Sequence, residues 1–318
     1  MTTPSQKLTD AVSRREALVW LGAGLAGLAT TGLRFSRAAA QETTPAMLTR
    51  LIPSSGEALP VIGLGTWQTF DVRASSSDRA PLEDVLKVFV ELGGKLIDSS
   101  PMYGNSEEVV GDITAKLGLR SKLFIATKVW ITGRDAGLAQ MDASIRKLRA
   151  KPIDLIQVHN LVDVDTQLAT LREWKREGRV RYVGLTHHTA SGHDAVARVL
   201  AREKIDFVQI NYSVGEREAE QRVLPLARER GVAVIANRPF AGGDLFRRLR
   251  SRPLPDWAPE IDCESWAQIL LKFIISHPAI TCAIPATANV GHLRDNMKAG
   301  AGRLPDEKLR ARMATEAV

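Results

Sequence analysis

Three polar residues stand at or near the ends of short apolar runs: Asp98 in KLIDSS, Lys128 in LFIATK and His159 in DLIQVH. A fourth, Tyr103, lies in the stretch IDSSPMYG just beyond Asp98. These residue types can act together on one carbonyl group. A phenol is a poor acid near neutrality, with an ordinary pKa of about 10. An ammonium beside it favours phenolate and lowers that value. Asp98 can pair with Lys128, keeping it charged and fixing its position. Tyr103 can then protonate a carbonyl oxygen as hydride arrives at the carbon. His159 can hydrogen-bond and orient the same oxygen, so that the group stabilises negative charge where it develops. Taken singly, Asp98 would be a cap or turn residue, Lys128 a solvated strand end and His159 a core histidine. Their occurrence as an ordered set is what points to catalysis.

The elements that must position them follow a regular rhythm. Runs rich in Val, Ile and Leu recur at 61–65, 95–100, 123–128, 154–159, 181–186, 207–212, 232–237 and 281–286. They are too short for helices and apolar on both faces, so buried parallel strands are expected. Helical patterns alternate with them at Leu82–Leu92, Glu107–Leu117, Leu138–Leu148, Gln167–Arg176, His193–Arg202, Ala219–Arg230 and Ser265–Ser276. Such alternation allows an open doubly wound sheet or a closed barrel. No G-x-G-x-x-G follows an early strand, as a nucleotide-binding doubly wound domain would normally show. The polar residues Asp98, Lys128, His159, Asn160, Thr186, His187, Gln209, Asn211, Asn237 and Arg238 all gather at strand C-termini, where barrels build their sites. The expected fold is therefore α/β, a (β/α)8 TIM barrel spanning residues 41–318.

Residues 1–40 are expected to be an export signal. Arg14 and Arg15 precede an apolar stretch from Ala17 to about Leu33, and Ala38, Ala39 and Ala40 offer a cleavage site. Ser13-Arg14-Arg15 with Leu18 resembles a twin-arginine (Tat) signal. The implied partner is the Tat machinery and the implied location the periplasm, with partial retention in the cytoplasm as the alternative. No stable membrane span is expected after processing, because the stretch falls short of about 20 apolar residues.

Composition narrows the function classes. Hydrophobic residues make up 44% of the 318 and charged residues 25%, an ordinary globular balance. The net charge of +7 is spread along the chain and not run together as a nucleic-acid-binding arm would be, so no nucleic-acid partner is expected. The two cysteines, Cys263 and Cys282, make neither a disulfide framework nor a metal spacing, and Cys282 is expected in the core. His187, His188 and His193 lack a supporting Cys or carboxylate spacing, and no metal site is expected.

With these motifs in hand, the chain resembles the aldo-keto reductase family over nearly all of residues 41–318. GLGTW at 63–67 is similar to that family's first barrel strand, and IDSSPMYGNSEEVVG at 97–111 to its Asp/Tyr signature. TKVW and QVHN match its Lys and His positions, and VGLTHH its G-[IV]-S-N-F stretch. FVQINY matches its strand with a nicotinamide-binding Gln, and IPATANVGHLRDNMKA its adenosine-phosphate segment. The resemblance implies NADPH bound across the barrel mouth, a small-molecule carbonyl substrate, and catalysis by Asp98, Tyr103, Lys128 and His159. It implies cofactor contacts at Gly65, Thr66, Trp67, Asp98, Thr186, His187, Gln209, Asn237, Arg238, Pro239, Thr287, His292 and Asn296.

Several of those positions depart from the family pattern. The usual Ser-Asn pair is Thr186-His187, and Asn237 stands where many members stack an aromatic on the nicotinamide. Arg238 offers a reach to the pyrophosphate. Ala286 replaces a frequent Lys, and His292 the Arg that often grips the 2′-phosphate. Fewer cationic contacts weaken the preference for NADPH over NADH, which leaves NADH as the second candidate. Free nicotinamide is not expected outside the cytoplasm. The alternative function is therefore an exported, non-catalytic or redox-sensing nicotinamide-binding barrel acting as a partner protein. A structural or carbohydrate-binding barrel is disfavoured by the low aromatic content, 5%. Trp67 and Trp130 fit either a substrate pocket or barrel packing. The segment 241–264, with Arg247, Arg248 and Trp257, is expected to shape specificity.

Overall fold

The structure, a computed structural model, describes residues 46–316. A two-stranded antiparallel hairpin comes first, β1 (Thr49–Leu51) with β2 (Ala58–Pro60). Eight parallel strands follow: β3 (Leu64–Gly65), β4 (Leu96–Asp98), β5 (Phe124–Val129), β6 (Ile153–His159), β7 (Val180–Thr186), β8 (Phe207–Asn211), β9 (Ala233–Asn237) and β10 (Ile280–Ala283). They pair in sequence order. Parallel bridges Ile62–Ala283 and Gly65–Ala286 join the first to the last, with Gly63 N donating to Ala283 O at 2.8 Å. The sheet is thus a closed (β/α)8 barrel, as the apolar rhythm predicts.

Side chains of a strand alternate between its two faces, and here that parity separates two cores. Leu96, Phe124, Ala126, Leu155, Tyr182, Phe207, Ile235 and Cys282 point inward and pack with Ile52 and Leu59 of the hairpin region. Ile97, Ile125, Ile156, Val183, Val208 and Val234 point outward, against a ring of helices. The chemical residues fall on the inward parity. Asp98 is two positions after Leu96, Lys128 two after Ala126, and His159 four after Leu155. Gln209 is two after Phe207 and Asn237 two after Ile235. The strands' early residues fill the barrel, and their last residues form its polar top.

The hairpin closes the opposite end. The Tyr182 hydroxyl lies 2.6 Å from Glu57 Oε2 and 2.8 Å from Ser55 Oγ. Asp154 joins this end together, pairing with Arg181 at 2.7 Å and Arg120 at 3.1 Å. No sequence pattern above anticipates this hairpin, because its strands are only three residues each.

The outer ring comprises α1 (Ser76–Glu91), α2 (Ser106–Lys116), α3 (Arg134–Leu148), α4 (Val164–Arg176), α5 (His193–Arg202), α6 (Val223–Glu229) and α8 (Trp266–Ile275), with α7 (Asp244–Leu249) in the β9–α8 connection. α9 (Val290–Lys298) and α10 (Glu307–Glu316) complete the chain. Several bounds differ from expectation, α3 and α4 starting four and three residues early, and two differences have a local cause. α1 begins six residues before Leu82, where Ser75 Oγ caps it by accepting from Asp78 N at 3.2 Å; its first turn is polar and shows no apolar period. The pattern 219–230 breaks at Arg222, leaving a 3-10 turn and a short α6. Pro225 fits the break: proline has no N–H and clashes with the carbonyl four residues back, so it is accommodated best in a first turn, and α6 starts two residues before it.

Helices α2 and α3 meet at Gly111. A Cβ there would lie 1.9 Å from Lys147 O and 2.9 Å from the Leu148 carbonyl carbon, both backbone. Gly111→Ala gains about 1 kcal/mol of helix propensity but forces the helices apart at a cost of about 1–3 kcal/mol or more. The urea midpoint is expected to fall, and an unchanged midpoint would show that the pair can part freely.

Candidate active site

The Tyr103 loop grows directly from the end of β4. Thr66 Oγ1 donates to Asp98 O and sits 3.0 Å from Ser99 Oγ. Tyr103 N donates to Ser100 O at 3.0 Å, and Met102 N to Ser100 Oγ at 3.2 Å. Gly104 then turns with φ 58°, where a Cβ would meet the Asp71 carboxylate at 2.3 Å. Asp71 Oδ1 accepts from Asn105 N at 2.9 Å and holds the turn that starts α2. The left-handed φ and the close Asp71 carboxylate both favour glycine at this place.

The ring faces Lys128, whose Nζ lies 4.9 Å from its centroid. Lys128 is 1% exposed and donates to Asp98 Oδ2 and Ser99 O, each at 2.7 Å. Asp98 Oδ1 takes a longer bond, 3.3 Å, from Gln157 Nε2. Burial disfavours the Lys128 charge, but Asp98 and Tyr103 outweigh it and raise its pKa. The lysine is an ammonium held in place, as the residue types predict.

Tyr103 corrects one expectation. Burial is the largest influence on it and raises its pKa; Lys128 pulls downward but does not prevail. Desolvating a phenolate costs more here than one ammonium, already shared with Asp98, returns. Tyr103 consequently keeps its proton at neutral pH, as a proton donor must.

His159 stands edge-on to Tyr103, ring centroids 6.4 Å apart, with Nδ1 3.5 Å from Ser100 Oγ. Burial first, then Lys128 and the neighbouring His188 and His187, lower its pKa to about 3. Its ring should show no NMR titration between pH 5 and 8. The unfolded value is about 6.5, so the unfolded chain binds more protons between the two values. This histidine therefore favours unfolding increasingly as pH falls from about 6.5 towards 3. A titration midpoint near 6.5 would show that burial and the neighbouring cations do not depress this ring.

Above these groups opens a cavity of about 550 Å³. Gly65, Thr66, Trp67, Asp98, Tyr103, His159, Gln209, Asn237, Arg238 and Pro239 line it, and Lys128 lies behind Asp98 and Tyr103. Trp67 and Trp130, 48% and 38% exposed, form its walls, which decides their role as pocket residues. Met102, Phe240, Phe246, Asn160 and His188 also line it; only their place after a strand end could have marked them in sequence. From the segment 241–264, Gly242, Gly243 and Phe246 reach the cavity. Trp257 is instead core, with Nε1 donating to Glu316 at 2.7 Å, and Arg247 pairs with Asp244 on its own helix.

The remaining positions lie around it. Thr186 Oγ1 donates to Gln209 Oε1 at 2.8 Å, which leaves Gln209 Nε2 buried without a partner; Asn237 Oδ1 is likewise unpartnered. His187 stacks on His188 and tucks under the turn at Gly192, so His188, not His187, faces the cavity. His193 Nε2 bonds Asn211 Oδ1 at 2.9 Å, and His188 Nδ1 lies 3.2 Å from Asn160 Oδ1. Thr287, His292 and Asn296 lie outside the cavity, beyond its lining residue Ala286. Thr287 Oγ1 accepts from Asn289 N, His292 is exposed in the first turn of α9, and Asn296 is buried on that helix.

The chain is similar to known proteins over most of its length. A model of the family described as "Aldo/keto reductase family" matches residues 61–314. Methylglyoxal reductase YeaE of Escherichia coli (strain K12) is 29% identical over 258 residues, covering 79% of this chain and 89% of that protein. The thermostable aldo-keto reductase Tm1743, solved with epalrestat, superposes with a TM-score of 0.71 at 25% identity, covering 86% of this chain and all of that one. A Klebsiella pneumoniae aldo-keto reductase solved with NADPH gives 0.70 at 23% identity, covering 85% of this chain and 96% of that one.

Proposed function

The chain belongs to the aldo/keto reductase family, and from that premise we propose that it reduces an aldehyde or ketone to the alcohol using NADPH. The observation that carries this reading is the buried Lys128–Asp98 pair, with the Tyr103 ring 4.9 Å from Lys128 Nζ at the foot of an open cavity. The cofactor supplies the hydride when bound. Tyr103 donates its proton to the carbonyl oxygen. Lys128 stabilises the phenolate left behind, and Asp98 holds Lys128. Neutral His159 hydrogen-bonds and orients the same oxygen.

The residues present suit a nicotinamide. Buried polar groups normally find partners. The unpartnered Gln209 Nε2 and Asn237 Oδ1 offer one donor and one acceptor, the needs of a carboxamide. Arg238 provides a cation at the cavity rim for the pyrophosphate, while Thr287, His292 and Asn296 are candidates for the adenosine end. With His292 and Ala286 at the phosphate positions, NADH is the second candidate. The test is fluorescence titration of the folded protein with each nicotinamide, followed by absorbance at 340 nm over a carbonyl panel. Turnover supports the reading. Absence of binding to either nicotinamide would defeat it, and tight binding without turnover would favour the non-catalytic partner role.

We further propose that residues 1–40 form a Tat-type signal that delivers the 41–318 domain to the periplasm. This segment lies outside the described residues, and its support is the Arg14-Arg15 pair, the apolar stretch and Ala38–Ala40. Among the described residues no helix is long and apolar enough to cross a membrane. Cell fractionation with N-terminal sequencing tests the proposal; an uncut chain confined to the cytoplasm would refute it.

A further inference from the structure

The turn after β5 carries Trp130 and is bound from behind. Trp130 N donates to Gln140 Oε1 at 2.6 Å. Gln167 Nε2 donates to Ile131 O at 3.0 Å and to Gly133 O at 3.1 Å. Gly133 N donates to Asp163 Oδ2 at 2.7 Å. Side chains from α3, from α4 and from the residue that precedes α4 thus hold four main-chain groups of a four-residue turn. Loops usually leave such groups to water and move more than the elements they connect. Gln167 is fully buried and makes no contact with the cavity, so the mechanism gives it no task.

We propose that Gln167 is a positioning residue that clamps the 130–133 turn and so holds Trp130 as a fixed wall for carbonyl substrates with a flat aromatic body. This rests on the reductase reading only in taking the cavity as the substrate site. The Trp130 ring lies 6.1 Å from the His159 ring, centroid to centroid, beside the position of the reacting oxygen. Trp67, Met102 and Phe246 are large apolar side chains exposed around the same cavity. Contiguous exposed apolar surface of this kind marks a binding region. A wall ordered before binding spares the ligand the cost of ordering it. A three-carbon aldehyde has no flat face to lay against Trp130, so the clamp should matter to bulky aromatic substrates and not to small ones.

Gly137 offers a second way to disturb the clamp without touching the cavity. A Cβ on this α3 residue would lie 2.2 Å from Gln167 Oε1, an oxygen with no hydrogen-bond partner of its own. Gly137→Ala therefore displaces the Gln167 amide while adding a better helix former.

The experiment compares wild type, Gln167→Met and Gly137→Ala, each alone and combined with Trp130→Ala. Affinity for 2-naphthaldehyde is measured by calorimetry, and KM and kcat are measured for 2-naphthaldehyde and propionaldehyde. Both clamp variants are expected to weaken 2-naphthaldehyde binding by roughly 3–10-fold, as coupled neighbours do. Propionaldehyde KM and kcat should hold. With Trp130→Ala already present, neither change should weaken binding further. Unaltered naphthaldehyde affinity in both variants would overturn the proposal, as would a loss of the same size in the Trp130→Ala background. Wild-type binding of both aldehydes without turnover would sink the reductase reading alone, since the clamp is judged on affinities.

Discussion

Tyr103→Phe is expected to lower kcat by about 10²–10⁴-fold, the usual contribution of a positioned general acid, while nicotinamide affinity stays the same. The variant keeps the ring that faces Lys128 at 4.9 Å and removes one oxygen from a partly exposed position, so folding should survive. Steady-state kinetics beside a cofactor titration separates the two effects. A loss confined to kcat identifies a proton donor. Full activity would take the role from Tyr103 and leave His159 as the group next to the substrate oxygen, although its pKa of about 3 makes it a poor acid–base partner near neutrality.

Lys128→Met is expected to have the larger effect on stability. It strips the ammonium from Asp98, which is 3% exposed and keeps only the 3.3 Å bond from Gln157. Removing one partner of a buried ion pair typically costs about 3–5 kcal/mol, because the other charge is left uncompensated. Activity should fall with it, since Tyr103 loses the cation that stabilises its phenolate. Adding Asp98→Leu should restore much of the stability, as apolar replacement of a whole buried pair often does, but none of the activity. Urea midpoints of the single and double variants, set beside their kcat values, make the test. If the double variant were as unstable as the single, the loss would come from lost packing and not from a stranded charge.

Much of this site is legible from strand parity. Asp98, Lys128, His159, Gln209 and Asn237 share an inward phase with the apolar residues two or four positions before them, and sequence alone displays that phase. Parity does not show what a side chain does after it points inward. His187 and His188 are adjacent and of one type, yet the fold turns His187 beneath Gly192 and His188 into the cavity. Thr186 spends its hydroxyl on Gln209. The direction of the Tyr103 pKa was also hidden, because it depends on how much water the loop excludes and not on which charges are near. Connections were the least readable part. Trp257 and Phe246 belong to the same segment, and the indole N–H of Trp257 finds Glu316 across a separation of 59 residues while Phe246 walls the pocket. No local pattern encodes such a distant partner.

The hairpin beneath the barrel has a practical corollary. Its 53–57 turn lies at the end away from the cavity, with Ser55 and Glu57 tied to Tyr182 at the start of β7. A surface linkage or fused partner attached through this turn would leave the mouth facing bulk liquid. Immobilised in that orientation, the protein should take up ligands as it does free in solution, whereas attachment through the 241–249 segment would crowd the mouth beside Phe246.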